Sequence, residues 1–206
     1  MISAFGVSTA LLLVDVQKGV DHLEHWGGPT GRRNNPEAEG QLSMLLTAFR
    51  KARRPIIFTL HDSLEQESPL KLALPSGQPK VGLEPEAGEE VVVKQVNGAF
   101  FGTDLNLRLR RLGVDRLVIG GFFTNMCVDT TTRSSGNLGF DTYLVPEACA
   151  TTNRIGFDGV DHDPNVVHDL AVASLHGEFC TALTADAAAA LLLQDSQHLF
   201  RAQGNE

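Results

Sequence analysis

The chain has 206 residues, 42% of them hydrophobic and 20% charged, which fits one globular domain over residues 1–206 with a full-sized core. Its net charge of −8 and lack of a basic run argue against nucleic-acid binding. No apolar stretch reaches bilayer length, the N-terminus has no basic leader, and three irregularly spaced cysteines make neither a disulfide framework nor a zinc cluster. The expectation is a cytoplasmic protein with reduced thiols, no membrane contact and no cofactor.

Ala10-Leu11-Leu12-Leu13-Val14 reads as a central strand buried on both faces, with Asp15 at its carboxyl end. Residues 16–40 read as a loop carrying Trp26, the only tryptophan, with His22, His25, Arg32 and Arg33. Such a loop either covers a substrate or is an exposed excursion with Trp26 pinned to the core. Asn35 is a candidate N-cap for a helix opened by Pro36 and carried by Leu42, Leu45, Leu46 and Phe49 through Arg50. Ile56-Ile57-Phe58-Thr59-Leu60 is a second strand, ending at His61-Asp62. Residues 63–88 show no period and read as an irregular excursion.

Val91-Val92-Val93 is a third strand ending in Lys94, which on its own reads as a solvated strand end. Thr103 is placed to cap a helix through Leu105, Leu109 and Leu112, with Gly113 as its stop. Val114 to Ile119 is a fourth strand. Gly120-Gly121-Phe122-Phe123-Thr124-Asn125-Met126 then leads into a helix that starts near Cys127 and runs to about Leu138. Asp141 to Val145 is a fifth strand. Asp158, Asp161, His162 and Asp163 lie close together and read as turn residues rather than metal ligands. Asn165 to His176 is a helix and Phe179 to Leu183 a sixth strand, with Cys180 in the core. Thr184 caps a helix from Ala185 to about Leu193, and the tail beyond is polar.

Strands alternating with helices imply an α/β fold: a parallel sheet with helices on both faces, in three layers. Ligands bind such sheets outside the carboxyl ends of the strands, where Asp15, His61, Lys94 and the Cys127 turn all fall. A lone cysteine is commonly a small buried hydrophobe. At a strand-to-helix turn, however, unpartnered N–H groups and the helix dipole should lower its pKa. A carboxylate nearby can accept the thiol proton, and a lysine can orient that carboxylate.

Three segments carry a family resemblance: Leu12-Leu13-Val14-Asp15-Val16-Gln17, Val93-Lys94 with Ala99-Phe100 following, and Gly120-Gly121-Phe122-Phe123-Thr124-Asn125-Met126-Cys127-Val128. In this order they resemble the isochorismatase-like cysteine hydrolases. That family includes nicotinamidases, N-carbamoylsarcosine amidase, and ureidoacrylate, biuret and maleamate hydrolases. The resemblance spans about residues 9–193 and implies a six-stranded parallel sheet in the order 3-2-1-4-5-6. It also implies a Cys127–Asp15–Lys94 triad, a non-proline cis peptide at Phe122–Phe123, and an oxyanion hole from the N–H groups of Phe123 and Cys127.

Nicotinamidases place an Asp-x-His metal motif after the second strand, whereas this chain reads His61-Asp62-Ser63, so no metal is expected. The expected activity is hydrolysis of a small amide or ureido C–N bond through a thioester. A peroxide-reactive thiol protein and an isochorismatase-type hydrolase of a non-amide substrate are the alternatives. Substrate contacts are expected from Trp26, His61, Asn97, Phe100, Phe122, Phe123 and His162. The resemblance further implies a homodimer or homotetramer, with a small-molecule substrate as the only other partner.

Overall fold

A computed structural model describes residues 4–192. Six strands form one parallel sheet: β1 (Thr9–Val14), β2 (Ile56–His61), β3 (Glu90–Lys94), β4 (Arg116–Phe122), β5 (Asp141–Ala150), and a short edge strand Thr181–Ala182. Their order is β3-β2-β1-β4-β5 and then the edge strand, which is the expected 3-2-1-4-5-6 arrangement. A separate two-residue hairpin, β6 (Arg154–Ile155) with β7 (Asp161–His162), lies outside it, so the edge strand is β8 in chain order. The expected sixth strand, Phe179 to Leu183, shrinks to those two residues, while Cys180 is buried as expected. The end of the last expected helix at Leu193, and the polar tail, lie outside the described residues.

The sequence of β1 explains the layering. Every residue is buried, and alternate side chains enter opposite cores. Leu11 and Leu13 join Leu42, Leu45, Leu46 and Phe49 of helix α2 (Ala38–Lys51) on one face, once α1 (Leu23–Gly27) has passed. Ala10, Leu12 and Val14 meet Leu105 and Leu109 of α3 (Leu105–Arg111), Val128 beside α4 (Asp129–Asn137), and Leu175 of α5 (Pro164–Leu175) on the other. A strand covered on both sides can be continuously apolar, so Asp15 marks where the sheet ends.

Several local expectations are corrected. Asn35 does not cap α2: its backbone is left-handed (φ 43°), and its amide donates across the sheet edge to the Glu147 and Cys149 carbonyls at 2.8 and 2.7 Å. That side chain ties α2 to an irregular β5, whose pairing with β4 jumps from Ile119↔Leu144 to Gly121↔Cys149. Residues 146–150, expected to lie beyond the fifth strand, are therefore part of it, with Cys149 and Ala150 paired to β4. The loop after β1 is built of short helical turns, Lys18–Asp21, α1 and Gly28–Thr30, rather than open coil. Thr103 Oγ1 accepts from the Leu105 N–H at the start of α3, as a cap would, although Asp104 holds the N-cap position. Asp163, expected only as a turn residue, caps α5 through the Asn165 N–H at 2.9 Å.

Gly121 is required by a close approach. It has φ 136°, and a Cβ there would lie 2.1 Å from the Val14 carbonyl oxygen. Backbone, not a flexible side chain, would have to move. Gly121→Ala should therefore cost about 3–5 kcal/mol in urea unfolding, from strain plus overpacking. A loss below about 1 kcal/mol would show that β1 and β4 separate freely there.

Candidate active site

Parallel register brings the site together. Val14 lies opposite Thr59 on one side and Gly121 on the other, and His61 lies opposite Lys94. The residues that end these strands therefore meet at one edge. Asp15 turns out of β1 with φ 52°, a left-handed conformation that aspartate tolerates better than most residues. Its backbone N–H donates to the Thr59 carbonyl, and Thr59 Oγ1 donates to Asp15 Oδ1 at 2.7 Å. The other carboxylate oxygen, Oδ2, is 2.6 Å from Lys94 Nζ.

Lys94 is 1% exposed, so the isolated reading of a solvated strand end is wrong for it. Its ammonium contacts Asp15, His61 Nδ1 at 2.9 Å, the Val96 carbonyl at 3.0 Å and Cys127 Sγ at 3.4 Å. Burial opposes that charge, but the facing Asp15 and Cys127 outweigh burial and raise the lysine pKa. An ammonium has no acceptor lone pair, so His61 Nδ1 must be the acceptor and its proton sits on Nε2. Burial and the Lys94 charge lower the His61 pKa, which keeps the ring neutral.

Cys127 is the fourth residue of a π-helical turn, Thr124–Val128, that precedes α4, rather than the first residue of an α-helix. The Met126 and Val128 N–H groups both donate to the Phe123 carbonyl at the start of this turn. The Phe122–Phe123 peptide is cis, as the resemblance implied. The expected fall in thiol pKa is reversed: burial and the Asp15 charge push it up, and Lys94 offsets them only in part. The resting nucleophile candidate is a protonated thiol facing a carboxylate. Cys149 and Cys180 are also buried and raised, to about 12 and about 11, because burial disfavours their thiolates.

Above these groups is a cavity of about 90 Å³. Trp26, His61, Asn97, Phe122 and Phe123 line it, as expected. The Trp26 ring meets Phe123 edge-on at 5.1 Å, and its indole N–H donates to the Gly19 carbonyl at 2.8 Å. Trp26 is therefore pinned, and it forms part of the cavity wall. Phe100 is placed elsewhere, stacked on Phe140 at 5.9 Å against the α3 side of the core. His162 is exposed on the β6–β7 hairpin and is not among the lining residues. Asp161 of that hairpin binds Arg32, Asn153 and Thr30, a structural role consistent with turn residues.

The sequence reading missed Ser63, Glu65, Ser68 and Leu70, which close the cavity from the segment after β2. Their one signal was position, since residues directly after a central parallel strand fall at its carboxyl end.

Asp15, His61 and Cys127 place one donor atom each within 4.8 Å of one another, a spacing that could suit a metal ion. The Lys94 ammonium already sits against all three. A divalent cation there would face a fixed positive charge, so the donor set fits poorly with a metal.

Behind Phe122 lies an ionic network. Arg33 grips Glu39 with two 2.7 Å hydrogen bonds, Lys80 adds a 2.9 Å contact, and Asp21 pairs with both cations. Arg33 and Lys80 also lie over the Phe122 ring at 5.4 and 5.6 Å. Burial opposes ionisation of Glu39, but these cations bring its pKa down to about 2 from 4.5. A lowered carboxylate pKa contributes stability above the unfolded value that is lost as pH falls through the folded value. Stability should therefore drop between about pH 4.5 and 2, and Glu39→Gln should flatten that part of a pH–stability curve followed by Trp26 fluorescence. An unchanged acid limb in that variant would assign the loss to other groups.

Comparison with known proteins gives the family. A family model described as the isochorismatase domain matches residues 9–187. The chain is 38% identical over 180 residues to the isochorismatase family protein YrdC of Bacillus subtilis, covering 86% of this chain and 92% of that one. An isochorismatase-family protein of Chromobacterium violaceum superposes with a TM-score of 0.85 at 35% identity, covering 93% and 98% of the two chains. Over 51 residues the chain is 41% identical to the ureidoacrylate amidohydrolase RutB of Yersinia enterocolitica, covering 25% and 22%. The chain belongs to the isochorismatase family. Within it, the protein is a hydrolase.

Proposed function

We propose that the protein hydrolyses the C–N bond of a small amide or ureido compound, with Cys127 as nucleophile, Asp15 as proton carrier and Lys94 as the cation that orients Asp15. The observation that supports this most is the contact of one buried ammonium with both the Asp15 carboxylate (2.6 Å) and the Cys127 thiol (3.4 Å) beneath a small cavity. The similarity to an amidohydrolase, RutB, supports the bond type.

Because the thiol rests protonated, Asp15 takes its proton as Sγ attacks the carbonyl carbon. The carbonyl π electrons move to oxygen, which rests on the Phe123 and Cys127 N–H groups. The intermediate collapses, the C–N bond breaks, and Asp15 returns the proton to the departing ammonia or amine. Water then gives a proton to Asp15 and adds to the thioester. The acid leaves and Sγ recovers its proton. Lys94 keeps its charge throughout and holds Asp15 in place.

Ammonia release from small amides and ureido compounds, measured for wild type beside Cys127→Ala, tests this reading. Release that requires Cys127 supports it. Equal release by both proteins would remove Cys127 from the mechanism.

A further inference from the structure

We infer that this site takes a small uncharged or cationic amide and rejects carboxylate-bearing ones, and that Glu65 at the cavity wall strengthens this preference. The inference rests on the amidase reading and names the substrate class for it.

Among the described residues, those lining the cavity include neither lysine nor arginine. The ammonium beneath it belongs to Lys94, already paired with Asp15. Lys71, on the same segment as Glu65, donates through Nζ to the Ser63 carbonyl at 3.2 Å and is not a lining residue. Arg154 donates to the Trp26 carbonyl at 3.0 Å and does not line the cavity either. Apart from the carboxylates of Asp15, paired with Lys94, and Glu65, the polar groups lining it are neutral: the His61 ring, the Asn97 amide and the Ser63 and Ser68 hydroxyls. Such dipoles suit an amide or urea. They do not replace the hydration of a carboxylate, and an uncompensated buried charge is costly.

Glu65 adds a field of one sign. It lines the cavity, is exposed, and has no ion-pair partner among the described residues. Its charge acts on His61 in the direction that favours a cation, as does that of Asp62. A carboxylate entering past Glu65 is repelled, and an ammonium is drawn in. Because Glu65 faces solvent, its share should be modest and sensitive to salt. The cavity, about 90 Å³, is small and favours a compact amide.

The test uses three amides of similar length: butyramide (neutral), β-alaninamide (cationic) and malonamate (anionic). Binding is read by Trp26 fluorescence in the inactive Cys127→Ala protein, with and without Glu65→Gln or Glu65→Lys. Turnover is read by ammonia release in the corresponding Cys127 proteins. Malonamate should bind at least about 100-fold more weakly than butyramide, the scale of an unpaired buried charge. Glu65→Lys should narrow that gap about tenfold and weaken β-alaninamide, with both effects shrinking at high salt. Glu65→Gln should fall between.

Equal binding of malonamate and butyramide would overturn the inference, as would a preference that ignores Glu65→Lys. If malonamate is hydrolysed as fast as butyramide and the reaction needs Cys127, this inference fails while the amidase reading stands. If no amide binds or reacts, both fall.

Discussion

Cys127→Ala should lower turnover by at least about 10⁴-fold while leaving the protein folded, the scale seen when a covalent nucleophile is removed. The side chain is small and 6% exposed, so truncation should cost about 1 kcal/mol or less of stability. Cys127→Ser should be similarly inactive. A hydroxyl is harder to deprotonate than a thiol, and this site already raises the thiol pKa through burial and the Asp15 charge. The same geometry predicts slow alkylation of wild type by iodoacetamide at neutral pH, slower than for free cysteine. Rapid alkylation would mean that the thiolate is present at rest. That outcome would revive the peroxide-reactive alternative. Residual activity above about 1% in Cys127→Ala would rule out the thioester route.

The raised thiol pKa also shows what the sequence could not convey. A cysteine between a strand and a helix looked activated by position, since helix N-termini favour thiolates. What decides the matter is that Asp15 and Cys127 are buried side by side, and that depends on register. The pairs Val14↔Gly121 and His61↔Lys94 come from strand pairing across more than thirty residues of sequence.

Periodicity made the central strands legible because a doubly covered strand is an unbroken apolar run. The order of those strands, the cis peptide and the convergence of Asp15, Lys94 and Cys127 were legible through the three family motifs, which keep their spacing to turns at strand ends. Features set by tertiary contacts were not. Asn35 looked like a helix cap because asparagine commonly is one, yet its amide is used by the carbonyls of the irregular β5. Phe100 looked like a wall of the site because it follows Lys94 closely, but the chain turns at Gly98 and Ala99 and sends it to Phe140. Ser63 to Leu70 looked featureless because a cavity wall built from loop residues has no period.

Breaking the Asp15–Lys94 pair should be a severe blow to stability. Both groups are 1% exposed, so removing either leaves a buried charge uncompensated. Asp15→Asn and Lys94→Met should each destabilise by about 3–5 kcal/mol in urea unfolding, and each should abolish turnover. The double variant should recover a large part of that loss, because two neutral side chains of similar size leave no charge to desolvate. Its activity should stay absent, since neither the proton carrier nor its orienting cation is present.

The alkaline limb gives an independent check. Burial lowers the Lys94 pKa, but Asp15 and Cys127 raise it further, to a folded value above the ordinary 10.5. A raised lysine pKa contributes stability that is fully present below 10.5 and lost as pH rises through the folded value. The difference in unfolding free energy between wild type and the double variant should therefore be flat from about pH 7 to 9 and fall only beyond 10.5. If the two single losses simply add in the double variant, the residues are not coupled. Lys94 would then have to orient Asp15 by packing rather than by charge.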